Sequence, residues 1–294
     1  MSVVLNGRAC RGRWLAGALC ACLWINGAAG AELTLQTERS SPYDLEISGG
    51  LEGQSEGTVS YVRWDDLAAL PTTVLEVEGE FVPGEQSITL LFVEDLLKAL
   101  PVASGGDTLL AYCSDGYFSI YPPDFIAARK PFLVLAINGG GPETWPPEGL
   151  SFNPGPYLIS VADEIVPGTE AVLDVGHKRP WGVTSIRFAS YVETVAPAYR
   201  GNWAQLDAEA TAGREIWINS CSSCHPGPGG LVGGNKSQRP FEVLFAHARY
   251  NTDYFRKFVR DPQSMVPGAK MEPHPHYSDA QLDALIAFIT ANGS

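Results

Sequence analysis

Beyond its first 31 residues this chain of 294 has only three cysteines and two methionines, and no apolar stretch near twenty residues. Each shortage excludes something. Cys113, Cys221 and Cys224 leave no spare pair for a disulfide framework. A second cysteine pair is missing, so a closed structural zinc site is excluded too. Without about twenty consecutive apolar residues, no membrane span is expected in the mature chain. Long charge runs, low-complexity tracts and a fixed internal period are also absent, which excludes solenoids and disordered tails. Positive charge is scarce as well. Residues 32–294 hold 17 Lys and Arg against 33 Asp and Glu, a net charge of −16. Nucleic acid and anionic membranes would repel such a surface, whereas a basic protein surface would attract it.

The remaining composition is that of a globular protein, with 45% hydrophobic residues. The length suits about two domains. Gly and Pro total 53 residues, which predicts many turns and a β-rich part. The first 31 residues read as a secretory signal. Arg8, Arg11 and Arg13 form a basic start, and Trp14 to Ile25 is an apolar run too short to span a bilayer. Ala29-Gly30-Ala31 is a small-residue cleavage site, so the mature chain is expected to begin at Glu32 in the periplasm. An uncleaved anchor and lipidation at Cys22 are the alternatives, the second weakened by a poor sequence ahead of Cys22.

Residues 32–195 read as β-rich with one or two short helices. Thr72 to Phe81 alternates apolar and polar, as a half-buried strand does. Ser87 to Leu91 is a second strand, and Phe92 to Leu100 switches to helical spacing before Pro101. Thr108 to Pro122 reads as two strands about a turn at Asp115-Gly116. Pro131 to Asn138, Tyr157 to Val161 and Trp181 to Val192 are further strands. Residues 196–206 are the expected linker, and 207–294 read as helical. Helices are expected over Ala208 to Ser220, Asp253 to Arg260 and Asp279 to Ala291, the last with Ser278 as N-cap. The fold class is therefore α+β. The charge divides unevenly, −15 over residues 32–204 and −1 over 205–294.

Cys221-Ser222-Ser223-Cys224-His225 has the C-x-x-C-H spacing of covalent c-type haem attachment. Two thiols three residues apart on one helical turn point the same way. Each can add across one haem vinyl group, and the next residue, His225, can then reach the iron. A redox dithiol would be expected in a βαβ setting, and this setting is helical.

The surroundings, from about Asp207 to Ser294, resemble a class I cytochrome c domain. Gly213 and Trp217 match the family's first helix, and Leu285 and Phe288 match the last helix that packs across it. Arg239-Pro240-Phe241 stands where the family has a proline loop over the proximal histidine, with Arg239 replacing the usual glycine. By that resemblance Pro240 helps to fix the His225 ring. Val266-Pro267-Gly268-Ala269-Lys270-Met271 resembles the loop that ends in the axial methionine, which makes Met271 the sixth ligand. Met265 fits the loop less well, and His247, His274 and His276 are the remaining alternatives. The resemblance implies one haem c, a redox protein partner and single-electron transfer. No acid–base or nucleophile constellation appears here, and six-coordinate iron leaves no place for a substrate, so a carrier rather than an enzyme is expected.

Residues 72–190 resemble the small form of the sulfite-oxidase-like, molybdopterin-binding fold. The stretches that carry this are Glu78-Gly79-Glu80, Val93 to Leu97, Ala111 to Tyr117, Leu135 to Gly139 and Gly155 to Ile159. Cys113 falls where catalytic members place the thiolate on molybdenum. Two departures count against a molybdenum cofactor. Only about 80 residues follow Cys113 before the linker, and the field of −15 opposes an anionic pterin. Lys178-Arg179 beside His177, and Arg129-Lys130, are the only compact basic clusters. The expected role of this half is a docking module, with Cys113 as a buried apolar thiol. The alternative is a fused molybdenum oxidoreductase with Cys113 as metal ligand and the haem as electron acceptor.

Overall fold

The computed structural model describes residues 32–78, 83–161, 176–199, 206–230, 232–237 and 239–292. The expected signal segment, its cleavage site and residues 200–205 of the linker lie outside the described residues. No helix among the described residues is long and apolar enough to cross a membrane.

Among the described residues, the first half builds one mixed sheet of nine strands. They are β1 (Leu45–Gly49), β2 (Val59–Val62), β3 (Thr73–Glu78), β4 (Glu85–Phe92), β5 (Thr108–Cys113), β6 (Phe118–Tyr121), β7 (Phe132–Ile137), β8 (Tyr157–Ser160) and β9 (Trp181–Ala189). Three short helices decorate it: α1 (Trp64–Ala68), α2 (Val93–Ala99) and α3 (Pro123–Arg129). The path β2-β1-β9-β8-β7-β4-β3 is antiparallel except where β1 runs parallel to β9. The hairpin of β5 and β6 joins the other side of β9, with Leu109 opposite Phe188 and Ala111 opposite Ile186. Strand β9 is thus the hub. It stops at Ala189, short of the expected Val192, because the chain winds into a wide helical turn over Tyr191–Val195. The Ser190 hydroxyl caps that turn by accepting from the Glu193 amide at 3.1 Å. Helix α2 ends as expected before Pro101, whose ring disfavours helix in the residue ahead of it.

The second half is helical: α4 (Ala196–Ala198), α5 (Ala208–Asn219), α6 (Phe241–Tyr250), α7 (Thr252–Arg260), α8 (Pro262–Met265) and α9 (Asp279–Asn292). Helix α5 starts at Asp207, whose carboxylate accepts from the Ala210 amide at 2.7 Å. Helix α9 starts with a reciprocal cap. The Ser278 hydroxyl accepts from the Gln281 amide, and the Gln281 side chain accepts from the Ser278 amide at 2.9 Å. Helices α5 and α9 cross at Gly213. A Cβ there would stand 1.9 Å from the Ala284 carbonyl oxygen, so only glycine permits the approach.

The two halves share a core. Residues alternate faces along a strand, and β5 buries both of its faces. Leu109, Ala111 and Cys113 point into the core of the sheet half, with Tyr157, Val183 and Ile186. Leu110 points the other way and joins Phe118 and Ile120 of β6 in a second cluster with Ile216, Trp217, Phe241, Leu285 and Phe288. Ala189, Val195 and Tyr199 belong to that second cluster as well. The Tyr199 hydroxyl donates to the Val232 carbonyl at 2.5 Å. The outer strands close over a third, smaller cluster around Leu90, Val134 and Trp145.

Phe118 has no exposed surface and belongs to the sheet, yet it packs with the helices. The Phe118→Ala variant is expected to lose about 3–5 kcal/mol of stability. Amide hydrogen exchange should show α5 losing protection together with β5 and β6. Unchanged protection in α5 would mean that the halves unfold independently.

Candidate functional site

Helix α5 delivers the chain to the cysteines and stops there. Its last turn is followed by a tight turn over Cys221–Ser223, in which the Cys224 and His225 amides donate to the Cys221 carbonyl at 3.3 and 3.0 Å. Cys221, Cys224 and His225 therefore occupy one turn. The loop that follows folds back on them. The Gly234 amide donates to the Ser222 carbonyl and the Ser237 amide to the Cys224 carbonyl, both at 2.8 Å. A Cβ at Gly234 would lie 2.2 Å from the Ser223 carbonyl oxygen, so the loop packs backbone to backbone against the turn.

Electrostatics leave all three side chains neutral near pH 7. Burial pushes the Cys221 thiol up to about 12 and the Cys224 thiol up to about 11. Burial lowers the His225 imidazole to about 4, which keeps its ring nitrogen unprotonated and able to bind a metal. The Arg239 backbone opposes that shift, but it falls short of hydrogen-bond geometry with the buried Nδ1. The polar group beside the ring is thus the Arg239 peptide, while Pro240 serves as the residue before α6. The rings of Trp217 and His225 are 6.3 Å apart, and Trp217 is wedged between Phe241 at 5.2 Å and Phe288 at 5.9 Å. The donor set fits a haem bound through two thioethers. It offers two undissociated thiols on one turn, a neutral imidazole next to them, and an apolar wall beside the ring.

Met271 is half-buried and packs against the same apolar cluster that Cys221 borders. Met265, at the end of α8, stands outside that cluster. The alternative histidines have other neighbours. His247 stacks on Tyr254 at 4.9 Å, His276 meets Tyr277 at 4.5 Å, and His274 stacks on Tyr277 at 5.2 Å. Cys113 lies at the end of β5, and burial pushes its thiol up to about 12, with Asp115 adding to the shift and Lys236 opposing it. Among the described residues no group of three or more His, Cys, Asp and Glu is arranged to hold a metal ion.

The structure also brings together residues that the sequence left scattered. The Asp115-Gly116 turn of the sheet half docks on the loop behind Cys224. The Asn235 amide donates to the Gly116 carbonyl at 3.0 Å, and Lys236 pairs with Asp115 at 2.6 Å. A Cβ on Gly116, whose φ is +83°, would collide with the Asn235 side chain. Lys236 also lies over the Tyr117 ring, 5.4 Å from its centroid. The Tyr117 hydroxyl is 3.0 Å from His177 Nδ1, and His177 Nε2 faces Glu272 at 3.5 Å. The Ser223 hydroxyl donates to the His177 carbonyl at 3.2 Å. Lys236, Glu272 and Asp115 all act on the Cys224 thiol. The vinyl groups of a haem sit on the porphyrin rim, so this cluster borders the rim that Cys224 would hold. The basic pair Lys178-Arg179 is divided in a way its sequence does not reveal. Lys178 is fully buried and donates to the Ile120 carbonyl of β6 at 2.5 Å and to the Ile218 carbonyl of α5 at 2.9 Å.

Residues 208–289 match the family model described as Cytochrome C oxidase, cbb3-type, subunit III. The chain is 34% identical over 86 residues to the cytochrome c oxidase subunit 2 of Alkalihalophilus pseudofirmus, which covers 27% of this chain and 25% of that protein. It is 28% identical over 96 residues to the cytochrome c of Tetrahymena pyriformis, which covers 28% of this chain and 88% of that protein. The chain thus spans about a quarter of the length of the oxidase subunit it matches.

The Asp115–Lys236 pair ties the turn to the loop, and both side chains are about half exposed. Burial would raise the Asp115 carboxyl, but Lys236 and the Tyr117 amide outweigh it and hold the group below its usual value. A depressed folded value means stability that is present above the unfolded pKa, about 3.9, and is lost as pH falls through the folded value. At neutral pH Asp115→Asn is expected to cost up to about 1 kcal/mol at low salt. The difference from wild type should vanish once the pH is well below the folded value, where the carboxyl is protonated in both states. Thermal melts of both proteins across that range check it, and a difference that persists in acid would refute it.

Proposed function

We propose that the whole chain is an exported one-electron carrier, built on its C-terminal cytochrome c-type electron-transfer domain, which implies haem c and a redox partner. One haem c is attached at Cys221 and Cys224, with His225 and Met271 on the iron. The observation that carries this reading is the single turn that presents two thiols and a neutral imidazole against the Trp217 wall. The haem supplies a one-electron couple, which a methionine thioether shifts upward relative to a second histidine. The chain's own residues do the rest. Cys221 and Cys224 would hold the haem covalently, Trp217 and Phe288 would offer it an apolar wall, and the Gly213 crossing fixes α5 against α9 behind that wall.

In this reading the β-rich half, which resembles the sulfite-oxidase-like fold, is more than an appended docking module. Its Asp115-to-Tyr117 turn covers the rim at Cys224, and its acidic surface is suited to a basic redox protein. Export to the periplasm, with cleavage after Ala31, completes the proposal.

A second reading has one observation in its favour. Asp115 and Lys236 act on both Cys113 and Cys224. A metal at Cys113 would therefore lie close to the haem rim, as a fused molybdenum oxidoreductase would need. The burial of the Cys113 thiol counts against it.

Expression in a host that attaches haem c and makes the molybdenum cofactor separates the two readings. The carrier predicts about one iron and no molybdenum per chain, and a mature N-terminus at Glu32. One of each metal would favour the oxidoreductase. Met271→Ala should lower the midpoint potential, remove the sulfur-to-iron band of the oxidised protein and admit added cyanide. A variant that keeps that band would assign the sixth position to another residue.

A further inference from the structure

Lys178 is the only charged side chain without exposed surface among the described residues. Both of its ends are fixed. Its carbonyl accepts from the Tyr121 hydroxyl at 2.9 Å, and its ammonium donates to the Ile120 and Ile218 carbonyls. The rings of Tyr121 and Phe125 flank the ammonium at 5.7 and 5.5 Å. The Ile218 carbonyl also accepts from the Ser222 hydroxyl at 3.1 Å. Two hydrogen bonds therefore link the ammonium to the interior of the Cys-x-x-Cys turn. Among the described residues no carboxylate pairs with it. The other charged or titratable groups on the elements around it are Glu209, Arg214 and Glu215 of α5, Tyr121 of β6, Asp124 and Arg129 of α3, and its neighbours His177 and Arg179. A methionine would fill such a space without the cost of burying an unpaired charge.

We propose that Lys178 is the positioning residue through which the β-rich half sets the potential of a haem held at Cys221 and Cys224, its buried ammonium favouring the reduced iron. This rests on the haem assignment proposed above. A charge in a dry interior acts at longer range than a surface charge, and salt screens it little. Burial brings the ammonium down to about 7, with Glu215 opposing the shift, so its charge changes within the working range of pH. The couple is then balanced as one electron from a one-electron donor protein and one proton from water. The electron goes to the iron, and the proton converts the Lys178 amine to ammonium. The sign follows. An added electron raises the proton affinity of Lys178, and a proton on Lys178 raises the potential. The midpoint potential should therefore fall as pH rises through about 7.

The test uses the full haem-loaded chain with Lys178→Gln, which keeps a donor and loses the charge, and Lys178→Arg, which keeps the charge at all pH. A pyridine haemochrome assay on each sample reports the covalent haem; failure there in the wild type would sink the haem assignment and not this proposal. Optical redox titrations from pH 5 to 9 then read the effect. Gln should lower the reduced-to-oxidised ratio several-fold at a fixed applied potential below pH 7 and flatten the pH dependence. Arg should hold the wild-type value of low pH and flatten the dependence too. A Gln variant with the wild-type potential at every pH would overturn the proposal. If Gln does not load haem, an Arg variant that keeps the full wild-type pH slope would overturn it instead.

Discussion

The interaction on which the rest of this molecule depends is the burial of the β5–β6 hairpin on both faces. A hairpin alone is marginal in water, and one face packed on a core is the usual remedy. Here Leu109, Ala111 and Cys113 complete the core of the sheet half, while Leu110, Phe118 and Ile120 complete the core of the helical half. Each fully buried aliphatic or aromatic side chain contributes about 1.5–3 kcal/mol relative to its exposed state. Three such residues on the second face make an interface that is part of the interior. Once the hairpin is held there, its turn can go to only one place. Asp115, Gly116 and Tyr117 meet the loop behind Cys224, where Gly116 lies against the Asn235 side chain and Gly234 packs against the Ser223 backbone. The geometry of the Cys221–His225 turn therefore depends on a strand about a hundred residues upstream.

Much of this was legible from the residues, and the gaps have physical causes. Period-two alternation located β3, and a continuous apolar run located β7, whose six residues are all buried. Pro101 marked the end of α2, and Ser278 marked the start of α9. The C-x-x-C-H spacing of Cys221, Cys224 and His225 stood out in the sequence, and the structure places the three on one turn. The small residue needed at the α5–α9 crossing was visible in Gly213. What could not be read was the second face of β5. Thr108 to Cys113 is apolar at almost every position, a pattern that buried strands share whatever covers them. The run announces that something packs on Leu110 without naming Trp217. Strands β1 and β2 escaped for a different reason. Each is four or five residues long and flanked by glycines and polar residues, so the pairing of β1 with β9 and of β2 with β1 is decided by tertiary contact rather than by local pattern.

The basic residues show the same limit from another direction. Lys178-Arg179 and Arg129-Lys130 are the compact basic clusters of an otherwise acidic half, and such a cluster invites the thought of an anion pocket. Charge in a sequence carries no direction, however. Lys178 turns inward and donates to two peptide carbonyls, one from each half. Lys130 reaches Glu94 at 2.7 Å, in a pair about a third exposed. Neither ammonium is spare for a phosphate. Among the described residues the only fully buried charge of the sheet half is a positive one, which leaves its surface more acidic than its composition suggests.

That asymmetry bears on how an electron carrier of this shape would work. A basic partner would be drawn toward the acidic half, while the Cys221–His225 turn lies in the nearly neutral one. These two demands conflict if the halves swing freely, because steering would then deliver the partner to the wrong place. The shared core resolves the conflict by fixing one half on the other. It also brings Tyr117 and His177 of the acidic half close to the Cys224 turn, so a partner steered to that half would arrive beside a haem held there. The same packing places Lys178 two hydrogen bonds from the Cys221–Ser223 turn. In the proposed carrier, steering and tuning of the centre would then both follow from one hairpin with two buried faces, and loosening it would disturb them together.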